Sequence, residues 1–157
     1  MKKRYFWVIL ISSSIILLDQ ITKYLIVSNL QLGESVVVIN NFFHLTRSHN
    51  PGAAFGILRD APVVIRMVLL LSLPVIAVVV IFNILKTIKD KWRVVALALI
   101  LGGAIGNFLD RFRIQYVVDF LDFFYKQWHY PAFNGADSAI CTGSGMWLIY
   151  FVKQSKK

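Results

Sequence analysis

Charge is what this chain has least of, and acid least of all: 16% of its 157 residues are charged and only eight are Asp or Glu. Soluble domains carry about 25% charged and roughly 45–50% apolar residues. Here the apolar share is 57% and mean hydropathy is +0.65. A water-soluble globule and a disordered chain are therefore excluded, and the length allows one or two domains at most. Cysteine is confined to Cys141, which rules out an intramolecular disulfide and a CxxC metal site. His44, His49 and His129 have no HExxH or other metal-ligand spacing. Phosphate loop, dinucleotide fingerprint, internal repeat, low-complexity tract and linker are all missing as well. The lack of an inverted repeat weighs against a transporter.

What the chain does have is apolar runs. Tyr5–Leu18 follows Lys2, Lys3 and Arg4, as a secretory signal peptide would begin. It ends in Leu17-Leu18-Asp19-Gln20 instead of a small-residue cleavage site and resumes through Val27, so it reads as a retained span. Val63–Leu85, Val94–Leu109 and Ala136–Val152 follow. The expected fold is an α-helical membrane protein, a single integral domain over 1–157 with four transmembrane helices and a small extracytoplasmic β-containing segment. The spans fall at about 6–27, 63–85, 94–112 and 136–152, with outer segments at 28–62 and 113–135. The last two runs are short, since 16 residues of helix reach about 24 Å against a hydrocarbon core of about 30 Å, and such short spans thin the bilayer or open into a wet cleft. Ser35–Ile39 and Asn41–Leu45 are β-prone runs hinged at Asn40, and Asn50-Pro51-Gly52 signals a turn.

Lys and Arg beside the spans set the orientation. Residues 1–5, 86–93 and 153–157 hold Lys2, Lys3, Arg4, Lys86, Lys89, Lys91, Arg93, Lys153, Lys156 and Lys157 against the single acid Asp90. The bases and acids elsewhere cancel, so the whole net charge of +9 lies on one side and both termini are expected in the cytoplasm. Basic residues placed as membrane flanks argue against a nucleic-acid partner.

Ionisable groups at membrane depth are costly and each is a functional candidate. Asp19 and Lys23, spaced i, i+4, can pair on the first helix. Asp119, in the apolar stretch Tyr116–Leu121, and Asp137, at the entry of the fourth span, return to the same outer face. Two carboxylates close together among apolar residues share a proton, giving an acid and a base that activate a water. The bland reading is that Asp137 caps the fourth helix while Asp119 pairs with Arg111 or Arg113. Spacing alone does not choose among Asp110, Asp119 and Asp122. A Ser–Lys peptidase built on Ser138 and Lys23 is the rival enzyme. A small transporter or assembly factor using the outer carboxylates is the non-enzymatic alternative. Gly102-x-x-x-Gly106 and Gly143-Ser144-Gly145 read as helix packing, since no histidine lies in a span to activate Ser144.

Five blocks now stand in order: Leu18-Asp19-Gln20-Ile21-Thr22-Lys23, Asn50-Pro51-Gly52-Ala53-Ala54-Phe55-Gly56, Gly106-Asn107-Phe108-Leu109-Asp110-Arg111, Val117-Val118-Asp119-Phe120 and Phe133-Asn134-Gly135-Ala136-Asp137-Ser138. On them the chain resembles the lipoprotein signal peptidases, signal peptidase II, over nearly its full length. The resemblance implies that Asp119 and Asp137 are catalytic. It also implies that Asn50, Asn107, Arg111 and Asn134 line the site, and that Asp19, Lys23 and Asp110 support it. Gly52 and Ala136, from the same blocks, belong with these substrate-binding and supporting positions. The implied enzyme is a cofactor-free and metal-free aspartic endopeptidase of the bacterial inner membrane, active at the outer face as a monomer. It removes the signal peptide of diacylglyceryl-modified prolipoproteins just before the lipidated cysteine, with membrane lipid as its other partner. Phe42, Phe43 and Phe55 would then form an interfacial platform over the substrate, or else pack on one another or anchor in lipid. Two departures stand out: Gln115-Tyr116 where the family usually has Gly before Val-Val-Asp, and Gly135 where it usually has Val or Ile. Neither removes a catalytic group.

Overall fold

The computed structural model describes residues 2–155, so Lys156 and Lys157 of the basic face lie outside it, as do the side chains of Lys2 and Phe55. Four helices are present: α1 (Lys2–Asn29), α2 (Val63–Leu85), α3 (Lys91–Ile114) and α4 (Gly135–Ser155). The outer segments supply a four-stranded antiparallel sheet ordered β1-β2-β3-β4, from Ser35–Ile39, Phe43–Asn50, Val117–Tyr125 and Trp128–His129.

Among the described residues three helices are long and apolar enough to cross a membrane, Lys3–Asn29, Val63–Leu85 and Lys91–Ile114. The fourth expected span coincides with α4, but Asp137, Ser138, Thr142, Ser144 and three glycines dilute its hydropathy. The expected shortness is corrected: α3 has 24 residues and α4 has 21, about 36 and 32 Å of helix. The apolar run of α3 stops at Leu109 because Asp110 and Arg111 follow, yet these two, like Asn107 before them, are buried and the helix continues through them.

α3 is the central helix, held by α1 on one side and α4 on the other through close backbone approach. A Cβ at Gly106 would stand 2.7 Å from the Asp19 carboxylate and 3.3 Å from the Ala136 Cβ, so only glycine fits. Ser12 Oγ also donates to the Ala98 carbonyl at 2.9 Å. Val8, Leu85, Ile88, Leu97 and Leu101 form the main core toward the other end of the bundle. The outward faces are apolar too, with Val64 74% and Val68 62% exposed, a surface that lipid accepts and water does not.

The sheet differs from expectation in two places. The second strand starts at Phe43, because Asn41 takes the left-handed conformation (φ 59°) and turns the chain after β1. Strand β3 has no alternating pattern to announce it, since Val117 through Phe120 are buried on both faces. Val118 and Phe120 pack on Ile26, while Val117, Asp119 and Phe123 face a cavity. Phe43 stacks on Phe123 at 4.5 Å, and Phe123 on Phe133 at 5.8 Å, so these aromatics pack on one another, with Phe42 left half exposed.

Both departures from the usual motif are absorbed locally. Gln115 is the left-handed C-cap of α3 (φ 66°), a conformation glycine adopts at less cost, so the turn survives the substitution. A Cβ on Gly135 would meet only Asp19 atoms, at 3.7 Å and beyond, an ordinary contact.

Candidate active site

The sheet, the C-terminal ends of α1 and α3 and the N-terminal ends of α2 and α4 meet at one end of the bundle. The five motif blocks converge there. Lys23 is the hub of a closed cluster: its Nζ lies 2.8 Å from Asp19 and 2.8 Å from Asp110, and donates to Asn107 Oδ1 at 3.0 Å. The Asp19–Lys23 pairing expected on α1 is thus present and extends to α3. Asp19 Oδ1 also accepts from the Ala136 amide at 2.9 Å, fastening the start of α4 to α1. Asp110 accepts from the Val118 amide at 3.3 Å and from Gln20 Nε2 at 2.9 Å, fastening β3 and α1 to α3.

Asn107 separates this cluster from a second one. Its Oδ1 faces Lys23, and its Nδ2 donates to Asp137 Oδ1 at 2.7 Å. The amide orientation is determined, because an ammonium only donates and a carboxylate accepts. Asn134, wholly buried, joins the two remaining carboxylates. Its Nδ2 donates to Asp119 Oδ1 at 2.7 Å, its Oδ1 accepts from the Asp137 amide at 2.9 Å, and its own amide donates to Asp137 Oδ2 at 3.3 Å. The last two bonds form a reciprocal capping box at the start of α4. Asp137 therefore does cap its helix, as the bland reading had it, while its other oxygen stays on Asn107.

The other half of that reading fails. Arg111 turns its Nη2 to the Gly52 carbonyl at 2.8 Å, and Arg113 donates to Gln20 at 3.1 Å. Among the described residues no Lys, Arg or His forms an ion pair with Asp119 or Asp137. The three aspartates that spacing could not separate now differ plainly. Asp110 belongs to Lys23, and Asp122 is 2.9 Å from His129 Nδ1 and 3.9 Å from His44. Three residues before Asp122, on the opposite face of the strand, Asp119 looks into the cavity. The rival Ser–Lys arrangement is absent, since Ser138 Oγ donates to the Asn134 carbonyl at 3.0 Å while Lys23 is fully engaged.

Asp119 and Asp137 share a cavity of about 830 Å³. Asn50, Asn107 and Arg111 line its polar end; Leu70, Leu73 and Pro74 of α2 and Ile140 of α4 line its apolar end. Asn50 Oδ1 accepts from the Gly52 amide at 3.0 Å, the turn that the sequence announced. Gly52 and Ala136 take part through their backbones, via Arg111 and Asp19. Burial first, and then the charge of Asp137, push the Asp119 carboxyl from its ordinary 3.8 up to about 7, against the opposing hydrogen bonds of Asn134 and Asn50. Sequence reasoning missed Gln20, whose position in the first block was the available signal. It also missed the wall made by α2 and the Tyr130–Phe133 loop, where apolar residues carry none.

Residues 11–153 match the family described as Signal peptidase (SPase) II. The chain belongs to the signal peptidase II family. It is 46% identical over 148 residues to the lipoprotein signal peptidase of Bacillus pumilus (strain SAFR-032), covering 94% of each chain. The lipoprotein signal peptidase of Syntrophus aciditrophicus (strain SB) is 40% identical over 159 residues, covering 100% of this chain and 99% of its own. A solved bacterial membrane enzyme, determined by the in meso method, superposes with a TM-score of 0.85 at 32% identity, over 94% of this chain and 88% of its own. As a member of this family the chain is a bacterial membrane peptidase that processes prolipoproteins.

Proposed function

We propose that this protein cleaves diacylglyceryl-modified prolipoproteins just before the lipidated cysteine, with Asp119 and Asp137 as an aspartic dyad. One observation carries the reading: these are buried or half-buried carboxylates with no ion-pair partner among the described residues, joined by Asn134 in one cavity, while Asp19, Asp110 and Asp122 each have one. Asp119, the more deeply buried and with its carboxyl pushed up to about 7, is the resting acid. Asp137, accepting hydrogen bonds on both oxygens at the positive end of α4, is the resting base.

Asp137 takes a proton from the attacking water as its oxygen bonds to the scissile carbonyl carbon, and Asp119 gives its proton to the carbonyl oxygen. On collapse of the resulting diol the C–N bond breaks. The leaving amine takes the proton from Asp137, and a diol hydroxyl returns one to Asp119. Asn50 and Arg111, whose buried Nε has no partner among the described residues, are the donors for carbonyls of an extended substrate. Asp19, Lys23 and Asp110 hold the scaffold. The apolar end of the cavity takes the signal peptide and lipid chains. α4 serves as a fourth span in a single integral domain, both termini are cytoplasmic, and the site opens at the outer face of a monomer.

The test is cleavage of purified, lipidated prolipoprotein in detergent by wild type, Asp119→Asn and Asp137→Asn, with unlipidated precursor as control. The expected result is a mobility shift seen only with wild type and lipidated substrate. Turnover by either variant near the wild-type rate overturns the dyad, and cutting of the unlipidated precursor overturns the lipid requirement.

A further inference from the structure

At the end of the bundle remote from the dyad lies a second cavity, of about 860 Å³, between the start of α1 and the start of α3. Its rim is wholly basic: Lys3, Arg4, Lys89 and Lys91 line it and no acid does. The nearest acid in sequence, Asp90, is occupied as the N-cap of α3, its Oδ1 accepting from the Arg93 amide at 2.9 Å. Arg4 is fixed in place by donating to the Ile88 carbonyl at 2.8 Å and the Lys86 carbonyl at 3.0 Å, which ties α1 to the α2–α3 connection. The ammonium groups of Lys3, Lys89 and Lys91 have no hydrogen-bond or ion-pair partner among the described residues, and all three residues are exposed. The positive end of α3 adds to the same field.

Behind this rim the cavity is apolar. Trp7 and Ile11, one turn apart on α1, face Val95 on α3, and this wall runs from the rim toward the middle of the two helices. Clustered cations above an apolar groove match one chemistry, an anion attached to a hydrocarbon chain. A free phosphate needs no groove, and a neutral lipid needs no rim.

We propose that this cavity is a binding site for one anionic phospholipid, its phosphate held by Lys3, Lys89 and Lys91 and one acyl chain lying along Trp7, Ile11 and Val95. The site is separate from the peptidase centre and does not depend on its assignment.

Native mass spectrometry of the full chain in detergent tests it, with phosphatidylglycerol and phosphatidylcholine in competition and glycerol 1-phosphate as the chain-free probe. Wild type should retain phosphatidylglycerol in preference. The Lys3→Gln/Lys89→Gln/Lys91→Gln variant should lose on the order of a hundredfold in that retention at low salt. Glycerol 1-phosphate should not displace the lipid. Unchanged cleavage by the variant in detergent certifies its fold. Equal retention of the two lipids, an unaffected variant, or displacement by glycerol 1-phosphate each overturns the proposal. The chain's placement is read independently with brominated-acyl phosphatidylglycerol, whose quenching of tryptophan fluorescence should fall in Trp7→Phe; quenching that persists in full overturns it.

Discussion

Asp19 and Asp110 lie behind Asn107, and Asp137 lies in front of it with Asp119 across Asn134, yet the two pairs of carboxylates are built in opposite ways. The rear pair shares one ammonium, Lys23, at 2.8 Å from each, and side-chain exposure there is 0% for Asp19, 4% for Lys23 and 7% for Asp110. The front pair accepts from amide donors, without an ion pair among the described residues, and opens on a cavity. A buried carboxylate with its own cation is a structural part, because protonating it would leave the cation uncompensated. A buried carboxylate beside another, with neutral donors, is able to exchange protons with water and substrate. Burial and acidity are common to all four; the difference in counterion is what divides scaffold from chemistry.

The largest expected effect breaks the front pair. Asp119→Asn and Asp137→Asn should each lower cleavage by roughly 10²–10⁴-fold or more, the scale of lost acid–base catalysis. The unfolding midpoint in detergent should hold or rise, since an isostere keeps the packing and, at Asp137, removes a charge. A midpoint that falls with activity would make these residues structural. Breaking the rear pair should invert the pattern. Lys23→Met leaves two carboxylates buried without a cation and should cost about 3–5 kcal/mol of stability, read from denaturant unfolding. Adding Asp19→Asn and Asp110→Asn should recover a substantial part. No recovery would mean that Lys23 contributes by packing alone.

A smaller effect comes from the seam between the pairs. At Gly106 an added methyl would press on the Asp19 carboxylate and on Ala136, which precedes Asp137 in α4. Gly106→Ala should cost about 1–3 kcal/mol in the unfolding free energy and reduce cleavage alongside it, because the rear cluster positions the front one through the Ala136 amide. Intact stability with intact cleavage would show that the two clusters are not mechanically linked.

The rear pair was the more legible in sequence, because i, i+4 spacing on a helix brings Asp19 and Lys23 together without knowledge of the rest of the fold. Asp119 and Asp137 could be nominated from their apolar surroundings and shared face. Their separation from Asp110 and Asp122 needed the register of β3, which no residue pattern revealed: a strand buried on both sides shows no alternation. The length of α3 was hidden for a related reason. Asp110 and Arg111 end the apolar run while, with Asn107, turning inward, so polarity there marks the site and not the end of the helix. The helix periods and the Asn50-Pro51-Gly52 turn were local signals. What joins Asn107 and Asn134 to their partners across 27 or 30 residues was not.

The smallest effect, the part of the Asp119 shift owed to the charge of Asp137, sharpens the comparison most. With its carboxyl pushed up to about 7, folded Asp119 keeps its proton over a range of pH in which the unfolded chain, titrating near 3.8, has released it. The native state therefore binds more protons in that window. Stability from this group is fully present below about pH 4 and is lost as pH rises through about 7. Cleavage should fall along the same limb as the resting acid is consumed, with apparent values belonging to the interacting pair. Carboxyl carbon NMR of Asp119 can then divide the causes. In Asp137→Asn the neighbouring charge is gone, so the midpoint should drop, yet stay above 3.8 because burial is the larger cause. An unmoved midpoint would mean that the two carboxylates do not sense each other, and the front pair would be two separate acids. A midpoint that returns to the ordinary value would mean that charge alone had raised it, leaving burial without the role that separates Asp119 from its partner.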